Sequence, residues 1–177
     1  MTVSITMSGE SGGLPLEEVQ DVGSITPDED SGVQELYIRH DAENFPITDC
    51  GFYVVRYAGT GYTGSDPDAD YAELLQWGDD SGPVSHSGGG LYLNQSHSTS
   101  FPTSDWYCFR SGYGADPNNA IQLLAAAINN PGVGSAVDGE IPVQGEAHVQ
   151  WRLDIPLTVS AAGTRFVQLI MAFSYTS

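Results

Sequence analysis

The sequence predicts a mainly β protein: an antiparallel β-sandwich of jelly-roll or immunoglobulin-like type, with two short helical insertions. Three observations point there. Among 177 residues, 21 are glycine and 10 proline, so turns are frequent and uninterrupted helices short. Apolar residues make up 40% and aromatics 10%, enough to close a core at this length without disulfide or metal staples. The C-terminal third alternates apolar and polar residues with the period of a strand.

Thr2 to Met7 alternates weakly and reads as a first strand. Ser8 to Gly32 is rich in Gly, Ser, Asp and Glu around one apolar cluster, Leu14–Val19. It reads as an arm or long loop, either solvated or laid on a neighbouring subunit. Residues 1–32 are therefore expected to form an N-terminal strand and acidic extended arm, and 33–177 the sandwich domain. Val33–His40 and Cys50–Tyr57 are β-branched and aromatic runs, joined by Asp41–Asp49 with its turn-forming Asp, Asn and Pro.

The helices share one start signal. Asp66 can cap, Pro67 suits the first helical position, Asp68 and Asp70 meet the positive end of the dipole, and Gly78 stops the run. Tyr71, Leu74 and Leu75 share one face. Asp116-Pro117 repeats the signal, with Ile121, Leu124, Ala125 and Ile128 as the apolar stripe and Pro131-Gly132 as the stop. Beyond it, Val149, Trp151, Leu153 and Ile155 alternate with His148, Gln150, Arg152 and Asp154, predicting one buried and one wet face. A turn at Ser160–Gly163 leads into Val167, Leu169, Met171, Phe173 and Tyr175, so the two runs read as a long antiparallel hairpin.

Charge narrows the chemistry. The chain has no lysine, and its five arginines face 23 acidic residues, for a net charge of −18. Schiff-base chemistry and a P-loop phosphate clamp both need lysine. A groove for nucleic acid needs clustered cations, so no nucleic-acid partner is expected. The acid is concentrated in residues 1–80, with 17 acids against two arginines, while 81–177 hold six acids and three arginines. Absent lysine, aspartate above glutamate and abundant small residues are the composition expected of a halophilic protein, whose self-repulsion dense salt screens. The plainer reading is an ordinary acidic protein with an acidic N-terminal half. The opening residues lack a basic and long apolar stretch, and Leu169–Phe173 is too short to span a bilayer. Neither a signal peptide nor a membrane partner is expected.

Several motifs invite chemistry, each beside a plainer reading. Asp66-x-Asp68-x-Asp70 opens like a calcium loop, but Tyr71 and Trp77 stand where such a loop needs Gly and Glu. A helix start explains the same carboxylates. His40-Asp41 and the serines Ser85, Ser87, Ser96 and Ser98 could be drawn as a triad, but no Gly-x-Ser-x-Gly elbow is present. His86 and His97 flank the glycines Gly88–Gly90 in a polar loop, where a metal site lacks support. Gly59-Thr-Gly61-Tyr-Thr-Gly64 lacks the lysine of a phosphate loop and reads as a turn. Cys50 and Cys108 could pair, though buried thiols are the commoner outcome in strand contexts. Phe101, Trp106, Tyr107, Phe109 and Tyr113 could stack on sugar rings, anchor a subunit contact, or lie in the core. No catalytic, cofactor-binding or metal residue is assigned, and no enzyme activity or cofactor is expected.

Leu36-Tyr-Ile-Arg39-His40-Asp41 followed by Pro46-Ile-Thr-Asp49-Cys-Gly-Phe-Tyr53-Val resembles a pattern in structural proteins of tailed viruses, bacteriophages and haloarchaeal viruses alike. So do Tyr62-Thr-Gly64, Glu73–Asp79, Phe109–Gly114 through Asn119-Ala-Ile121, and the run Val149–Tyr175 with Gly163-x-Arg165. The resemblance covers roughly residues 35–177 and its motifs are structural, so it brings no active site. It implies a virion component and, combined with the composition, a virus of a halophilic or marine host. Other virion proteins as partners and a homo-oligomeric assembly are expected. A place at the tail tip or baseplate is the leading expectation, and a capsid surface (decoration) role the alternative. A soluble carbohydrate-binding β-sandwich is the alternative of another class.

Overall fold

The computed structural model describes residues 5–15, 23–41, 45–57, 59, 62, 66–77, 89–96, 101, 105–130, 135–157 and 166–175. They form two antiparallel sheets and one helix. The larger sheet has the order β1 (Ile5–Ser8), β2 (Gln34–His40), β8 (Glu146–Asp154), β4 (Gly90–Asn94), β5 (Trp106–Cys108), with β7 (Ile128–Asn130) also paired to β8. The smaller has the order β6 (Ile121–Gln122), β3 (Ile47–Arg56), β9 (Val167–Tyr175). No helix among the described residues is long and apolar enough to cross a membrane.

One apolar core lies against both sheets. Leu36, Ile38, Leu91, Leu93, Ala147 and Val149 enter it from the larger sheet, and Phe52, Val54, Ile121 and Met171 from the smaller. Each fully buried aliphatic or phenyl side chain contributes about 1.5–3 kcal/mol by leaving water. Register makes this work: Leu36 lies opposite Val149 and Phe52 opposite Met171, so like faces coincide strand by strand. The helix α1 (Pro67–Trp77) forms as its capping pattern predicts, buries Leu74, and leans Tyr71 and Leu75 on the core. Its predicted stop, Gly78, lies outside the described residues.

Two expectations fail. The second helix does not form. Asp116 does cap, accepting from the amides of Asn118 (2.8 Å) and Asn119 (3.2 Å), but only a 3₁₀ turn, Pro117–Asn119, follows. Ala120 then turns extended, and Ile121 pairs with Phe52. Gly51 permits the approach, because a Cβ there would sit 3.0 Å from that of Ala120. Ile121 and Leu123 are buried two apart, so the apolar stripe serves a strand, overriding a weak helix preference. Ala125–Ala127 is a further 3₁₀ turn, and Ile128–Asn130 is a strand.

The predicted C-terminal hairpin is also absent: β8 pairs with β2, β4 and β7, while β9 pairs with β3. Alternation reveals which face of a strand is buried and says nothing of its neighbour. The turn proposed at Ser160–Gly163 lies outside the described residues.

The described parts of the N-terminal stretch lie on the chain's own body. β1 pairs with β2, Ser8 bridges to Pro15, and Asp28, Glu29 and Ser31 exchange backbone hydrogen bonds with Leu153 and Ile155. Residues 16–22, with most of the Leu14–Val19 cluster, lie outside the described residues. Gly114 holds another junction: at φ +71° its carbonyl accepts the Val54 amide, and an added Cβ would fall 2.5 Å from Phe109.

Candidate functional site

The face of the larger sheet turned away from the core carries its densest polar chemistry. Strand alternation and register place Glu35, Tyr37 and Arg39 of β2 opposite Gln150, His148 and Glu146 of β8. The same face takes Tyr92 and Asn94 of β4, then Cys108 and Trp106 of β5.

A hydrogen-bonded ladder runs across these strands. Asn94 Nδ2 donates to Gln150 Oε1 (3.3 Å), and Gln150 Nε2 donates to Glu35 Oε1 (2.9 Å). The other Glu35 oxygen pairs with His148 Nε2, and Tyr37 stacks on that imidazole at 4.1 Å between ring centroids. Burial, with the nearby charges of Glu35 and Glu146, raises the Tyr37 pKa above its ordinary value, so its hydroxyl stays protonated.

At one end, Arg152 is pinned between carboxylates: Nε donates to Asp154 (2.6 Å) and Nη2 to Asp30 (2.9 Å). Its guanidinium also lies 3.5 Å from the centre of the Phe101 ring, a cation–π contact. Phe101 in turn packs edge-on against Trp106 and Tyr92, forming a small second apolar cluster with Cys108. The face predicted to be wet is thus largely covered: Gln150 is buried and Arg152 nearly so.

At the other end, Glu146 is buried and accepts from Ser11 Oγ (2.7 Å), Asn129 Nδ2 (3.0 Å) and the Gly12 amide (3.1 Å). Burial raises its pKa, but those hydrogen bonds and the Arg39 charge outweigh it, leaving the carboxyl below its ordinary 4.5. Its stabilisation is therefore complete above that ordinary value and is lost as pH falls through the lower, folded-state value. Glu146→Gln should cost about 1.5–3 kcal/mol at neutral pH, because an amide group then faces three donors. Urea unfolding should show that deficit narrowing as the pH falls below 4.5, where the wild type progressively loses the same contribution. A deficit independent of pH would contradict this role.

The residues singled out by sequence fall as follows. His40 is buried, with Nε2 2.7 Å from the Phe45 carbonyl oxygen, while Asp41 receives Arg39 Nε (2.5 Å) and Thr6 Oγ1 (2.8 Å). Neighbours in sequence, the two side chains take different hydrogen-bond partners among the described contacts. Ser85, Ser87, Ser98, His86 and His97 lie outside the described residues. Ser96 donates its backbone N–H to the Asn94 side chain.

Of the three aspartates, Asp66 caps the Asp68 and Ala69 amides and Asp68 meets Arg56 at 2.9 Å. The Asp70 charge lies near the Tyr62 hydroxyl. Among the described residues no group of three or more His, Cys, Asp or Glu side chains could hold a metal. In the glycine-rich stretch, the Tyr62 amide donates to the Gly59 carbonyl, while Thr60, Gly61, Thr63 and Gly64 lie outside the described residues.

Cys50 and Cys108 are both buried and no disulfide joins them. Burial pushes the Cys50 thiol up to about 11, which makes it a poor nucleophile. The aromatic cluster is divided between faces: Trp106 and Cys108 point outward from the core while Tyr107 packs against it. Trp106 and Phe109 are fully buried and offer no ring face to a sugar.

The ladder itself was not foreseen. Its one sequence signal is that Glu35, Tyr37, His148 and Gln150 hold the polar phase of two alternating runs. No family model matches this chain, nor does any curated protein or solved structure.

Proposed function

We propose that this chain is a non-enzymatic structural component of a tailed-virus particle, a β-sandwich that assembles in symmetric copies at the tail tip or baseplate. Supporting this reading, the blocks that resemble virion proteins serve the frame of the fold. Leu36, Ile38, Ile47, Phe52, Val54, Phe109 and Ile121, all within them, are core residues. The polar groups on the outer face hold one another across the strands.

The observation that carries the reading is the inequality of the sheet edges. Among the described residues the larger sheet ends in strands of four and three residues, β1 and β5, short enough to resist accidental pairing. On the far side of β3, β6 and the backbone of Gly114, Leu123, Gly139 and Ile141 take up the hydrogen bonds. The other edge is β9, nine residues long, without a charged side chain, and paired among the described residues with β3 alone. Monomeric proteins blunt such an edge, whereas assembling proteins use it. The acidic remainder suits a saline medium.

Quantitative mass spectrometry of purified particles, with immunogold labelling, tests this reading. The expected result is the chain in fixed stoichiometry with label at the tail tip. Label over the whole shell, with many more copies, would instead assign the capsid-decoration role. Absence from the particle would overturn the reading.

A further inference from the structure

We infer that β9 pairs with β9 of a second copy, antiparallel and centred on Met171, making one six-stranded sheet of the two three-stranded ones. The inference rests on the assembly reading above and names the partner and the register.

Self-pairing across a two-fold axis demands a strand complementary to its own reverse. The strand Val-Gln-Leu-Ile-Met-Ala-Phe-Ser-Tyr meets that demand about its central residue, Met171. In the centred register Val167 faces Tyr175 of the second copy, Leu169 faces Phe173, and Ile170 faces Ala172, apolar on apolar. Gln168 faces Ser174, polar on polar. A slip by one residue would put Gln168 against Phe173 and expose the mismatch along the whole strand.

Exposure and charge agree with a second copy as occupant. Phe173 is 40% exposed on the same side of β9 as buried Met171, and Leu169 of the second copy would cover it. Phe45, 37% exposed and edge-on to Tyr175, rims the same end. On the opposite side, Ile170 and its partner Tyr53 are half-exposed, which extends an uncharged surface beside the edge. From Ile155 to Ser177 the only charged side chain is Arg165, in a chain of net charge −18. Two such bodies repel almost everywhere, and the β9 edge is a strip where a like copy can approach without setting carboxylates against each other. A basic partner would gain nothing at a strip that carries no charge.

Paired cysteines test the register. Directly opposed antiparallel residues have Cα atoms about 4.5–5.5 Å apart, inside the range a disulfide spans. Gln168 and Ser174 are both exposed, so Q168C/S174C should fold, and six positions along one strand are too far apart to join within a chain. The expected result under mild oxidation is a disulfide-linked dimer of the double variant, with Q168C alone, S174C alone and the wild type remaining unlinked. Linked single variants would mean another register, and an unlinked but folded double variant would mean no such pairing; either overturns the inference. Amide exchange of wild-type β9 gives an independent check, since its protection should fall on dilution. Protection that ignores concentration would equally contradict it. Particles that contain the chain without the link would refute this interface alone, and a linked dimer missing from particles would refute the virion role alone.

Discussion

Replacing Trp106 by alanine should lower the unfolding free energy by about 3–5 kcal/mol, the usual cost of deleting a fully buried indole. Trp106 has 0% exposure, yet it lies on the far side of the larger sheet from the main core. Its support is Phe101, edge-on at 5.1 Å, and Phe101 is itself held under the Arg152 guanidinium. Removing the indole therefore opens a cavity beneath the whole cover of that face. For a chain of this size, each kcal/mol moves the melting temperature by roughly 2–4 °C. A loss on the order of 10 °C in a thermal melt is expected. A glycan-binding role for the aromatic cluster predicts a different outcome, a variant of unchanged stability with sugar-responsive fluorescence abolished. Wild-type stability in W106A would mean that the outer face is not a second packed layer.

Gln95→Leu should cost about 2–4 kcal/mol despite similar volume, because it strands two backbone groups at once. The side chain is 1% exposed and works as a missing strand: Nε2 donates to the Gln122 carbonyl (2.9 Å) and Oε1 accepts from the Leu124 amide (2.8 Å). On its other side, the same segment is held by Leu123, whose amide donates to the Cys50 carbonyl. These bonds keep residues 121–124 extended in a sequence that would otherwise tolerate a helix. Urea unfolding should show a lower midpoint with an unchanged slope, since the exposed area on unfolding is the same. A midpoint within experimental error of wild type would show that water or another group satisfies this backbone.

That region explains where sequence reading stops. The runs that became β8 and β9 are legible because their apolar residues recur at every second position, and those that became β2 and β3 because they gather β-branched and aromatic residues. The helix α1 is legible because cap, first-turn proline and apolar face agree. From Ile121 to Ile128, by contrast, spacings of two and of three coexist. The decision fell to Gln95 and Gly51, which are distant in sequence. β4 was hidden because Leu91–Asn94 is short and follows a glycine run, though it is buried on both faces and central to its sheet. Alternation marked Gln150 and Arg152 as the face away from the core, correctly. It could not reveal that Phe101 and Asp30 lie over Arg152, or that Gln150 meets Asn94 and Glu35. The coupling of Glu35 to His148 depends on register between strands more than a hundred residues apart, which no local pattern encodes.

Self-association at the uncharged edge is the claim on which the functional account turns, and absolute mass by light scattering tests it most directly. The measurement compares dilute buffer with about 1 M salt, where the screening length falls to roughly 3 Å and repulsion between acidic bodies is largely removed. The predicted result is an even-numbered closed oligomer that tightens as salt is added, with its mass independent of further salt once formed. A folded monomer at every concentration and salt level would contradict the account.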